Sequence, residues 1–125
     1  MEKSYLTLSK IDAYMIAYKL SNYVWQVVMK WESLSRWTVG KQYIEAVDSI
    51  SANIAEGFGK YHKKEKIHFY RYSFGSMEES RDWTRKASER NLLQADEIEH
   101  IVGELDKLPK AINQLIQFTE QKLKF

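Results

Sequence analysis

Residues 95–119 read ADEIEHIVGELDKLPKAINQLIQFT, and no other stretch of the chain says as much about its architecture. Ile98, Ile101, Leu105, Leu108, Ile112, Leu115 and Thr119 recur at steps of three and four. That spacing puts side chains on one face of a helix of 3.6 residues per turn, and its regularity is that of knobs-into-holes packing. Asp96, Glu97 and Glu99 crowd the first turn, where carboxylates complement the helix dipole. Pro109 removes one backbone bond and clashes with the carbonyl of Leu105, so a break or kink is expected there. The seam resumes in phase beyond it, which favours a kink in one helix over about 95–123.

Three more helices are read upstream in the same way. The third should span about 63–92, with Phe69, Tyr70, Ser73, Phe74, Met77, Thr84, Ala87 and Asn91 along its inner side. Gly75 and Ser76 fall in its middle. A mid-helix glycine costs about 1 kcal/mol against alanine, so close approach of a neighbour is the expected reason for it. The second helix, about 38–56, buries Val39, Tyr43, Ala46, Val47, Ile50 and Ile54. Gly57 and Gly59 should end it through a left-handed backbone. The first, about 10–31, has Ser9 as its N-cap and Asp12 in its first turn. Residues 32–38 hold three hydroxyl residues and no apolar period, and read as a loop anchored by Trp37.

The first helix carries two apolar seams. Ala13, Ala17, Leu20, Val24, Val27 and Trp31 form one; Ile11, Met15, Tyr18, Asn22, Trp25 and Met29 form the other. A bundle helix normally needs one stripe of about 100°. The second stripe is therefore expected either to meet another subunit or to mark a deeply buried helix. Helices of about 20 residues joined by loops of about five make antiparallel neighbours, so the fold class is all-α, an up-down-up-down four-helix bundle. A length of 125 residues with one Pro and five Gly makes that a single domain over 1–125.

Composition excludes several functions. A net charge of +2 is too near balance to announce a nucleic-acid partner by itself. The chain has no Cys, which removes disulfides, thiolate nucleophiles and sulfur metal ligands and fits a reducing compartment. No run of about 18 apolar residues occurs, and residues 1–10 lack the apolar core of a signal peptide. A cytoplasmic protein with no membrane partner is expected.

Residues 49–57, Ser-Ile-Ser-Ala-Asn-Ile-Ala-Glu-Gly, with Gln42 and Ala46 before them and Gly59, Lys60, Phe69, Gly75, Ser76 and Glu79 after them, resemble the signature of a bacterial family. These are the small four-helix-bundle proteins encoded in intervening sequences of 23S rRNA genes. The likeness is specific over about a third of the chain, in the second and third helices. It implies a four-helix bundle assembled as a homopentameric ring, without enzymatic activity. It also implies kinship with the accessory proteins of diversity-generating retroelements, which bind nucleic acid and a reverse transcriptase. Two features depart from the pattern. Ile44 and Glu45 stand where the family often has a basic pair, and the loop before the second helix lacks its usual Pro.

The residue chemistry itself offers little for catalysis. Asn53 and Glu56 lie among Ile50, Ile54 and Ala55 on a helix expected to be largely buried, where a carboxylate needs partners. Glu56 fits either an acid–base role or, with Ser49 and Asn53, hydrogen bonds to backbone or to the region of Ser76. The lack of a nucleophile or second catalytic group favours the structural role. His62 and His68 are six residues apart, nearly on opposite sides of a helix, and His100 has no ligand at i+4, so no metal is expected. Residues 57–60, Gly-Phe-Gly-Lys, lack phosphate-loop spacing. No cofactor and no small-molecule substrate are implied.

Charge is nonetheless uneven. Residues 57–93 carry nine Lys and Arg against five acids, a balance of +4, whereas residues 95–108 carry one Lys against five acids, a balance of −4. The densest basic run opens the third helix, where positive charge opposes the dipole and invites an anion. Lys60, Lys63, Lys64, Lys66 and Arg71, with Tyr61 for stacking, form the candidate RNA- or DNA-binding set. The alternatives are a solvated face, or a contact between this cluster and the acidic start of the fourth helix of another copy. The lead expectation is a homo-oligomeric nucleic-acid-binding accessory or scaffold protein. The runner-up is a purely structural or protein-partner module.

Overall fold

The computed structural model describes residues 7–124. Residues 1–6 and 125 lie outside that range, as does the part of the reading that concerns them: most of the expected absence of a signal peptide and the outer limits of the domain. Four long helices account for most of the chain, and there is no strand among the described residues. We label them α1 (Asp12–Val28), α2 (Lys41–Phe58), α3 (Lys63–Glu89) and α4 (Ala95–Lys122). α1 packs on α2, α2 on α3, α3 on α4 and α4 back on α1, the arrangement of a bundle around one core.

The first seam of α1 and the seams of α2 and α4 face that core. Ala13, Ala17, Leu20, Val24 and Val27 of α1 are buried, as are Tyr43, Ala46, Val47, Ile50 and Ile54 of α2 and Ile101, Leu105, Leu108, Ile112 and Leu115 of α4. α3 differs in kind. Beside Ile67, Tyr70, Met77 and Ala87 it buries Ser73, Ser80 and Thr84. The hydroxyls of Ser73, Ser80 and Thr84 bond to the carbonyls of Tyr70, Ser76 and Ser80 on their own helix. Small residues whose donors are satisfied within their own turn let α2 come close. The buried Tyr43 hydroxyl then meets Thr84 Oγ1 at 2.7 Å. Burial pushes the Tyr70 hydroxyl up to about 12, with a hydrogen bond to Thr119 opposing the shift.

The boundaries correct several expectations. α1 starts after a 3₁₀ turn, Leu8–Lys10, and its N-cap is Ile11 without a side-chain bond. Ser9 is not the cap; its hydroxyl lies 3.4 Å from that of Thr7. The expected loop over 32–38 is helical. Glu32 accepts from the backbone N–H groups of Leu34 and Ser35 at 3.3 and 3.0 Å, so the chain re-enters a helix at Ser33–Ser35. It passes through a π-helical segment, Arg36–Gly40, directly into α2. A π turn holds more residues than an α turn, which explains why residues 32–38 show no period of 3.6. Trp37 anchors nothing, being 69% exposed.

The glycines exchange roles. Gly59, not Gly57, caps the end of α2, and it does so in right-handed backbone, since no described glycine has positive φ. A Cβ on Gly57 would stand 2.7 Å from the Tyr70 ring and 2.8 Å from the Lys66 carbonyl, and one on Gly40 would stand 2.6 Å from Val28. These are the close approaches of α2 to α3 and to α1. A Cβ on Gly75, expected to be such a contact, would meet nothing within 4 Å among the described residues beyond its own turn of helix.

α3 ends at Glu89, short of 92, because Asn91 takes the left-handed conformation with φ 58°. The N–H groups of Asn91 and Leu92 reach the carbonyls of Ser88 and Ala87 at 3.1 and 2.9 Å, a Schellman termination. Asn91 is therefore exposed and not on the inner side. α4 opens with Glu97 Oε1 accepting from the Gln94 N–H at 2.8 Å, and it continues as one helix past Pro109.

Candidate nucleic-acid interface

The basic cluster sits at the end of the bundle where α2 stops, α3 starts and α4 stops. Antiparallel packing brings the carbonyl ends of α2 and α4 beside the first turn of α3, and these orphan carbonyls attract cations. Lys66 Nζ donates to the Phe58 carbonyl at 2.7 Å and lies 5.5 Å from the Phe58 ring centroid. Its partial burial lowers the ammonium pKa. Lys63 Nζ donates to the carbonyls of Glu120 and Leu123 at 3.2 and 3.4 Å. Positive charge that opposes the dipole of its own helix thus completes the C-termini of two others.

The remaining members divide further. Lys60 pairs with Glu56 at 3.4 Å and lies over the Phe69 ring at 5.2 Å. Tyr61 is exposed and meets the His62 ring edge-on at 5.0 Å. Lys64 and Arg71 project from α3 with no side-chain hydrogen bond or ion pair among the described residues. Of the six residues proposed from sequence, Lys64 and Arg71 are the two cations whose charge no described group engages. They share their side of α3 with His68 and Tyr72, whose side chains form a 2.7 Å hydrogen bond with ring centroids 4.5 Å apart. Neither belongs to the set expected from the sequence, where His68 figures only as a possible metal ligand and Tyr72 not at all.

The signature residues also separate. Asn53 Nδ2 donates to the Ser49 carbonyl at 2.9 Å and approaches Ser76 Oγ at 3.4 Å, tying α2 to α3. The Ser49 hydroxyl bonds to the Glu45 carbonyl, and Gly57 is the close contact described above. Glu56 is not buried as expected; its side chain is 55% exposed beside Lys60. Gln42, Gly75 and Glu79 face outward. Among the described residues no three of His, Asp and Glu gather into a metal-binding group, and His100 instead packs on Tyr23 at 4.2 Å.

A second surface has no counterpart in the basic cluster. Met15 is half-buried, whereas Tyr18, Asn22, Trp25 and Met29 of the second α1 seam are exposed. Trp25 and Met29 join Trp37 and Ile44 in lining an apolar cleft of about 480 Å³, rimmed by Arg36, Lys41 and Glu45. The seam was legible in the sequence. Trp37 was not, because the π segment rotates it out of the regular α period and onto this face.

The model of the 23S rRNA-intervening sequence protein family matches residues 9–114, from the turn before α1 to well past Pro109 in α4. The chain belongs to that family. The match covers α1, α2 and α3 entirely and α4 as far as Gln114, not only the signature of α2 and α3. No curated protein matches the chain. Family membership assigns it no activity and no ligand. No helix of the described residues is long and apolar enough to cross a membrane.

Proposed function

We propose that the protein is a non-enzymatic scaffold built from several copies of this chain, joined through the tryptophan-bearing face of α1 and part of α4, with a homopentameric ring as its working form. One observation carries the reading. Trp25, Met29 and Trp37 remain 48%, 44% and 69% exposed around one cleft, and contiguous apolar surface of that kind marks an interaction site. On α4, Val102 and Phe118 are also exposed, Phe118 beside the start of α1. Glu56 supports the non-enzymatic part, since it stands in solvent paired with Lys60 and not among reacting groups. The absence of Cys suits a reducing compartment, and the cytoplasm is where we place this work.

Light scattering tests the assembly. The expected particle is several times the 14.8 kDa of one chain, falling to one chain when Trp25 and Trp37 are both changed to Lys. A wild-type particle of single-chain mass overturns it.

A nucleic-acid role for the scaffold is favoured by a separate observation, the unengaged charges of Lys64 and Arg71. Repetition around an oligomer would add such weak contacts. RNA or DNA should be retained at low salt and released when both residues are changed to Glu. Unchanged retention in that variant overturns this site, and no retention by the wild-type chain leaves the runner-up, a purely structural or protein-partner module.

A further inference from the structure

We infer that the outward flank of α3 binds single-stranded nucleic acid, with unpaired bases laid against Tyr72 and His68 and flanking phosphates on Lys64 and Arg71. The inference rests on the nucleic-acid reading above and specifies its ligand. Lys64, His68, Arg71, Tyr72 and Gly75 are spaced by four, three, one and three residues, so they lie on one side of the helix. All five are exposed. The two rings are already positioned. His68 and Tyr72 share their 2.7 Å hydrogen bond, and the half-buried Phe69 meets Tyr72 edge-on with centroids 5.6 Å apart. A platform whose rotamers are fixed beforehand loses less entropy when a base stacks on it.

Gly75 supplies the independent observation. Among the described residues nothing beyond its own turn of helix approaches within 4 Å of where its Cβ would be, so no such contact offsets the roughly 1 kcal/mol that glycine costs in a helix. One turn along from Tyr72, its bare backbone leaves a flat floor on which a planar ring can lie. Counter-charges are few on this flank: Glu65 and Glu79 border it, and Glu78 is engaged by Arg81 at 3.6 Å. Two cations cannot hold a duplex strongly, and a duplex keeps its base faces stacked inside. A single strand offers both phosphate and exposed base faces, so stacking can supply what charge lacks. The salt dependence should accordingly be shallow, with a log–log slope of about −1.4 per site for two phosphates neutralised on a single strand.

The test is fluorescence anisotropy with the full chain, a labelled 12-nucleotide single-stranded RNA of mixed sequence, and the same RNA annealed to its complement. Single strand should bind at least tenfold more tightly than duplex. Tyr72→Leu, which keeps an apolar side chain on an exposed position, should weaken single-strand binding by about tenfold and leave duplex binding unchanged. Gly75→Gln, which covers the floor without touching the fold, should act in the same direction. Equal binding of the two RNA forms, or full single-strand affinity in both variants, overturns the single-strand inference while the nucleic-acid reading stands. No binding of either form overturns both. Capture of a protein with no RNA binding assigns the flank to the protein-partner reading instead.

Discussion

The two flanks of α3 are assembled from similar residues and do opposite work. On the inner flank, Lys63, Lys66, Tyr70 and Ser73 reach carbonyls of α2 and α4 or disappear into the core. On the outer flank, Lys64 and Arg71 engage no described group, His68 and Tyr72 meet each other and the half-buried Phe69, and Gly75 lies open. A basic run in a sequence is therefore not one object. A helix distributes successive lysines around its axis, and those facing a neighbour's carbonyl end become part of the fold. What is left on the far side is the charge available to a partner.

The strongest way to break this contrast is Gly57→Ala. The added methyl would meet the buried Tyr70 ring and the backbone oxygen of Lys66 at under 3 Å, and neither can yield without moving α3. A loss of about 1–3 kcal/mol or more is expected from overpacking, read as a lower urea midpoint. Full wild-type stability would mean that the two helices are not in such close contact. A smaller effect separates two neighbouring cations. Lys66→Met removes the donor to the Phe58 carbonyl and should cost about 1 kcal/mol, whereas Lys64→Met should stay within about 0.5 kcal/mol. Equal losses would erase the distinction between the flanks. The smallest change has the opposite sign. Gly75→Ala should raise stability by up to about 1 kcal/mol, since the position is helical and open. A loss there would reveal an internal contact on the outer flank.

Much of this fold was legible in the sequence because apolar spacing reports which side of a helix is dry. The five buried residues of the first α1 seam within that helix, the face of α2 and the seam of α4 were all read from spacing alone. The exposed second stripe, Tyr18, Trp25 and Met29, was also visible as a surplus. What escaped was set by partners distant in the chain or by departures from the regular period. The destination of Lys63 depends on carbonyls about 60 residues away. Glu32 caps a helix although Ser, Thr, Asn and Asp are the usual residues there. Gly57 and Gly75 could be told apart only once it was known which one faced α3 and which faced water.

The π segment Arg36–Gly40 bears on how this surface can change over evolutionary time. Its winding accommodates one residue beyond the ordinary repeat, so deleting a single residue there would leave the hydrophobic register of everything downstream intact. Each residue in a regular helix turns the chain by about 100°, and the deletion would swing Trp37 away from Trp25 by about that angle. The same segment seats Val39 and Gly40 in the core, so a one-codon loss that spares those two would abolish the groove and a one-codon gain restore it.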